Sequence, residues 1–393
     1  MMTKLNVFRT KSVNEFIAET AQDGGMKKVL GTFGLTMLGI GCIVGTGIFV
    51  LTGIAAANFS GPALIISFLI AAVACGCAAL CYAEFSAMIP VAGSAYTYGY
   101  VALGEFWAWI IGWDLLLEYN LGLSAVALGW SAYFSNIMTN IGISLPMALM
   151  AGPENGGIIL SLIICTVLYI VVSGILTGMV PYLQFKSTAA PVAFALQTVG
   201  YHWGAAVVSI GAICGLTSVL LCSAFAQSRV LFVMSRDGLL PRFFGRINGK
   251  TKTPVRSSLL VAVIASVLAG VLPINIVAEM VNIGTLGAFI IVSAAVLVLR
   301  KKQPSRVRPF HCPFVPVVPM IAIISCGVLV YMLPFVTQVR FVVWLLIGLG
   351  IYFCYGYKHS IITKARNGVL ADGPTPHSVA VDPIPAKTAE QSH

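Results

Sequence analysis

Apolar residues run along this chain in long blocks, interrupted by short polar connections. A membrane-spanning helix needs about 20 mostly apolar residues. Stretches of that character occupy 30–57, 62–89, 106–134, 158–183, 204–234, 258–274, 281–299, 315–336 and 341–357. In hydrocarbon each backbone N–H and C=O must be satisfied within the segment, so these blocks predict helices. The expected fold class is therefore an all-α polytopic membrane protein of about nine transmembrane helices. Between the second and third blocks the more polar Gly93–Gly104 stretch reads as an interfacial amphipathic lead-in, with a split into two short spans as the alternative. The organisation follows: a cytoplasmic segment 1–29, a membrane domain 30–357, and a tail 358–393 whose Pro, Ser, Asp and Thr content predicts disorder.

Composition sharpens this. Of 393 residues 58% are apolar and only 9% charged, against roughly 25% charged in a soluble domain. The net charge of +10 does not call for nucleic acid, because no Lys or Arg occurs between Val29 and Phe185 and the basic residues crowd the N-terminus and the later loops. Such crowding marks short cytoplasmic loops. Most of the ten cysteines sit inside apolar blocks as small hydrophobes, and Cys75 and Cys77 lack the spacing and histidine of a zinc site. No metal, cofactor or signal peptide is expected. The few histidines do not pair with any buried acid by spacing, so an enzyme is not expected either.

Charge and span count conflict. The cluster Lys4, Arg9, Lys11, Lys27 and Lys28 and the loop carrying Arg236, Arg242, Arg246, Lys250, Lys252 and Arg256 both belong in the cytoplasm. Five blocks separate them, and an odd number of crossings puts them on opposite faces. The conflict lies between residues 29 and 235. With the N-terminus cytoplasmic, nine crossings also place Lys358, Lys364 and Arg366 outside, against the rule.

Candidate chemistry begins in the first block, GIGCIVGTGIFVLTG, where several glycines bracket Thr46. Each interior glycine costs a helix about 1 kcal/mol relative to alanine. A break near the bilayer midplane accounts for that cost, because a half-helix start offers bare N–H groups to an anionic ligand. Close helix packing through Gly41 and Gly45 is the structural alternative. The second signal is acidic: Glu84, then Asp114 and Glu118, four apart on one helical face. A charge deep in a span usually faces the bundle interior or a cavity. The first four blocks offer no basic partner, which leaves a protonated acid, a cationic ligand or a partner from a later helix. Glu84 and Asp114 read as near helix ends at the interface, whereas Glu118 is deeper. In the fifth block Thr217 and Ser218 are adjacent hydroxyls, able to help hold a coupling ion or only to bond their own backbone.

Three stretches in order carry a resemblance: GIGCIVGTGIFVLTG, then CYAEFSAMIPVAGSAYTYGYVALGEFWAWIIGWDLLLEY, then QSRVLFVMSRDGLLPRFF. Together they are similar to the cationic amino acid transporter branch of the amino acid, polyamine and organocation (APC) superfamily. The resemblance implies a LeuT-like inverted-repeat fold of five plus five helices with two more at the end. It implies a plasma-membrane, multi-pass amino acid permease for cationic or small neutral substrates, coupled to a proton or to sodium, and permits a homo-oligomer. Substrate binding falls on Ile43, Val44, Gly45, Thr46 and Gly47, with Glu118 added from its depth, and ion coupling on Thr217 and Ser218. The fold is incomplete, since residues 135–157 hold only a loop where the family has its fourth, fifth and sixth spans. Three missing spans are an odd number and would reconcile the charge pattern, for which a miscounted span between residues 29 and 235 is the alternative. The expectation is therefore impaired transport, or a remnant or partner subunit without turnover.

Overall fold

The computed structural model describes residues 9–11, 13, 16, 40, 43–45, 47–91, 93–140, 159–188, 190–245 and 254–361. All regular structure among them is helical. The elements are α1 (residues 47–60), α2 (Leu64–Met88), α3 (Ser94–Ala102), α4 (Glu105–Asn140), α5 (Ile159–Met179), α6 (Pro191–Thr198), α7 (His202–Arg236), α8 (Val255–Val271), α9 (Ile274–Lys302), α10 (Val317–Met332) and α11 (Phe335–Ile351), the last continuing to His359. Four stretches are long and apolar enough to cross a membrane: Gly47–Met88, His202–Arg236, Ile274–Lys302 and Phe335–His359. The central helix α4 is less apolar, because Asp114, Glu118, Asn120 and Ser124 lie along it.

α4 is the axis of the bundle. It runs antiparallel to α7, as three cross-helix pairs show: Gly112 against Met234, Leu116 against Gln227, and Trp130 against Thr217. It runs antiparallel to α11 as well, with the Trp109 indole donating to the Gly348 carbonyl and Trp113 stacked on Trp344. α1 and α5 run side by side in the same direction, Tyr169 reaching Ile43 and Leu176 packing near Ala57. Bulky apolar side chains point outward along α7, α8, α10 and α11, as a lipid-facing surface requires.

One end of the bundle collects every described basic segment that the sequence assigns to the cytoplasm. Lys11 Nζ donates to Asp237 Oδ1 at 2.9 Å, so the N-terminal segment and the end of α7 lie on the same face. The end of α11 joins them, with Ser360 donating to Glu105 at 2.6 Å and Arg9 over the Tyr357 ring. Lys358 is therefore on the N-terminal face, which corrects the outside location that nine crossings give it. The packing puts these basic segments on one face, against the span count. α4 starts at this N-terminal face with Glu105 and ends at the opposite one. α5 pairs antiparallel with α2, Gly174 facing Ile65 and Tyr169 facing Phe68, and so starts at the N-terminal face. Asn140 and Ile159 thus lie toward opposite faces. Residues 141–158 between them are outside the described residues.

α3 departs from the expected interfacial helix: Ala95 to Ala102 are all buried. Left-handed glycines set its two ends, Gly93 at φ 115° and Gly104 at φ 108°, conformations that cost other residues strain. These turns fold the segment back under α2 and α4.

Candidate functional site

The glycine-rich block is interrupted. Val44 N–H still donates to Ile40 O, but Gly45 N–H turns back to Ile43 O at 2.8 Å, two residues away, and the chain bends at Val44 and Gly45. Gly47 then opens a π-helical turn to Leu51. Wide turns of this kind are frequent at functional sites because they loosen the backbone ladder. Thr46 and the start of the block lie outside the described residues.

The carbonyls released here are taken up by side chains from three directions. Tyr169 Oη on α5 donates to Ile43 O at 3.0 Å, Tyr133 Oη on α4 to Phe49 O at 2.6 Å, and Thr52 Oγ1 to Gly47 O at 2.7 Å. Gly47 has to be glycine in this arrangement, since a methyl group there would run into the Tyr169 ring. From α7, Gly215 lies against the Val44 carbonyl, and two residues further on the Trp130 indole donates to Thr217 Oγ1 at 2.8 Å. The break thus sits in a cradle built from α4, α5 and α7.

The expected site residues divide. Ile43, Val44, Gly45 and Gly47 share this cradle with Thr217 and Ser218. Both hydroxyls, however, donate to their own helix, Thr217 to Ile213 O and Ser218 to Gly215 O, and both residues are exposed. Glu118 is not with them. Its neighbours are Asp114 on its own helix, Tyr82 on α2, and Gly284 and Thr285 on α9. At 1.5 Å per residue, Glu118 is roughly 22 Å along α4 from the Tyr133 that reaches α1. The expectation of one site holding both the break and Glu118 is corrected to two separate places, because Glu118 points to the α9 side of α4 while α7 packs elsewhere on it.

Glu84 has a later-helix partner. Arg300 at the end of α9 binds it through Nε at 3.1 Å and Nη2 at 2.5 Å, Arg308 lies 3.2 Å away, and the Cys312 N–H adds a 2.8 Å bond. Glu84 is a structural clamp where α2 and α9 end. Asp114, read as interfacial, is instead enclosed in the bundle at 1% exposure.

Tyr169, Tyr133 and Trp130 escaped the sequence reading. Their only signal is a polar tip inside an apolar block, which is common to membrane aromatics. The clamp of Lys11, Tyr96 and Asp237 was also hidden, because Lys11 counted only as a topology charge; Tyr96 Oη completes it at 2.7 Å from Asp237 Oδ2.

A family model described as amino acid permease matches residues 30–150 and 156–355. The chain belongs to the amino acid permease family. The permease is 40% identical to the branched-chain amino acid permease BcaP of Bacillus subtilis (strain 168), over 92% of this chain and all of that protein. It is 39% identical to the methylthioribose transporter of the same organism, over 91% and 100%, and 31% identical to cationic amino acid transporter 4 of Mus musculus, over 74% and 62%. The alignment with the branched-chain permease runs to 465 residues, longer than this entire chain, so that relative carries positions with no counterpart here. The family match itself parts at 151–155, inside the 135–157 stretch where the resemblance places the missing spans.

Proposed function

We propose that this permease is built to carry neutral amino acids, small or branched, across the plasma membrane in company with a proton, and that the chain as written binds substrate but turns it over poorly. The observation that carries the reading is the break at Val44 and Gly45 inside the α4, α5 and α7 cradle. It interrupts the backbone ladder where the broken helices of inverted-repeat transporters meet an amino acid's carboxylate and amino ends, and Tyr169, Tyr133 and Thr52 hold the carbonyls for which such a ligand would compete. With Glu118 on the far side of α4, the described residues of the cradle are aromatic, aliphatic or hydroxyl-bearing and include no acid. A cationic side chain finds no counter-charge there, which favours neutral substrates.

In this reading the 30–357 domain corresponds to family helices one to three and seven to twelve. The partner wall supplied by the broken sixth helix is missing, and the first repeat has three helices against which to rock. Binding survives on one half-site; alternating access does not. Thermal stabilisation of the purified chain by leucine, alanine and arginine tests the substrate class. Stabilisation by the neutral pair and not by arginine is expected. Stabilisation by arginine alone, or by none of the three, contradicts the proposal.

A further inference from the structure

The carboxylate of Asp114 is enclosed between α4 and α9, and neither of its oxygens has a hydrogen-bond partner. The wall it faces is unusually bare. A methyl group on Gly284 would sit 2.9 Å from Asp114 Oδ1, and one on Gly287 would sit 3.6 Å from Oδ2. Two glycines of α9 therefore leave the space that the carboxyl group fills. Beyond them Phe341 of α11 lies against Gly287. Glu118, one helical turn along α4, stands beside Gly284 and Thr285.

The groups around Asp114 supply no positive charge. On its own helix the nearest titratable group is Glu118, and from α2 it is Tyr82. α9 contributes glycines and Thr285; its own acid, Glu279, is bonded to Thr337 of α11. α11 presents Phe341, and the adjacent Arg340 is exposed. An ionised carboxylate buried without cation or donor costs several kcal/mol, and a group so placed is relieved by taking up a proton. A metal cation would need about six or more oxygen donors, and among the described residues no cluster of three metal-ligating side chains exists.

We propose that Asp114 and Glu118 form a proton-binding pair on the α9 side of α4, in which Asp114 holds the proton as a neutral carboxylic acid and exchanges it with Glu118. The transfer moves one proton from the Asp114 O–H to a Glu118 carboxylate oxygen and moves one negative charge back, so nothing else is consumed. Gly284 and Gly287 give the protonated group its room, and Glu118, less deeply buried, is the exchange partner. As the seat of a coupling proton, the pair rests on the reading of the chain as a proton-coupled permease; its protonation does not.

Infrared spectroscopy of the purified full chain in lipid at neutral pH tests it. A protonated carboxyl C=O band that shifts in deuterated water is expected, lost in Asp114→Asn and retained in Glu118→Gln. No such band in the unmodified chain overturns the proposal without any variant. A band unchanged by Asp114→Asn, or lost only in Glu118→Gln, overturns it too. None of these outcomes depends on substrate binding or uptake, so a failure here leaves the permease reading standing.

Discussion

Glu84 at the end of α2 receives Arg300 from the end of α9 in a two-pronged ion pair, with contacts of 3.1 and 2.5 Å. Glu84 is almost fully buried, whereas Arg300 is 27% exposed. Removing the charge leaves two guanidinium groups without their counter-ion, Arg300 keeping the Cys312 carbonyl and Arg308 its backbone acceptors, and breaking a buried pair costs about 3 kcal/mol. Glu84→Gln should lower the unfolding temperature of the purified chain markedly. Arg300→Lys should lower it less, because it keeps the charge and loses only the fork. Equal losses would contradict the two-pronged geometry.

Tyr169 serves the break twice, with its hydroxyl on Ile43 O and its ring against Gly47. Tyr169→Phe keeps the ring and drops one hydrogen bond, worth about 1 kcal/mol. Gly47→Val puts a branched side chain where the ring stands. The expected order of stability and of leucine binding is the natural chain, then Tyr169→Phe, then Gly47→Val, checked by thermal shift with and without ligand.

At the N-terminal face Glu105 accepts from Tyr100, Tyr352 and Ser360, beside the bond from Lys11 to Asp237. These contacts tie the N-terminal segment and the end of α11 to α3 and α7. Lys11→Met should leave a buried Asp237 held by Tyr96 and speed hydrogen exchange at residues 9–16 and 352–361. Ser360→Ala, which leaves both tyrosines on Glu105, should change exchange less. Mass spectrometry of exchanged peptides reads both.

Cys312 lies in the connection between α9 and α10, where burial first, and then the neighbouring Cys81, push its thiol up to about 12. An unfolded cysteine ionises near 8.5. A raised value means that the folded chain keeps the proton when the unfolded chain has lost it. This contribution to stability is complete below about 8.5 and disappears as the pH rises toward 12. Iodoacetamide at pH 8 should label Cys312 only after denaturation, and rapid labelling of the folded chain would contradict this environment.

The sequence made the helical membrane fold legible because about 20 apolar residues in a row have one stable solution in lipid. It located the α1 break through the glycines around Gly45, whose cost in a helix needs a reason. The charge pattern puts its conflict with the span count between residues 29 and 235, and Asn140 and Ile159, which lie toward opposite faces, fall inside that interval. The sequence could not separate Glu118 from the break, since both are deep and a linear pattern carries no rotation about α4. Nor could it pair Glu84 with Arg300, because they are 216 positions apart in the chain.

The account's central claim is that this chain keeps the substrate-binding break of an amino acid permease without the helices that turn binding into transport. Uptake of labelled leucine into proteoliposomes driven by an inward proton gradient, measured beside the branched-chain relative, tests it most directly. The account predicts saturable, gradient-dependent uptake by the relative and near-background uptake by the 393-residue chain. Robust, saturable uptake by the chain alone would contradict it.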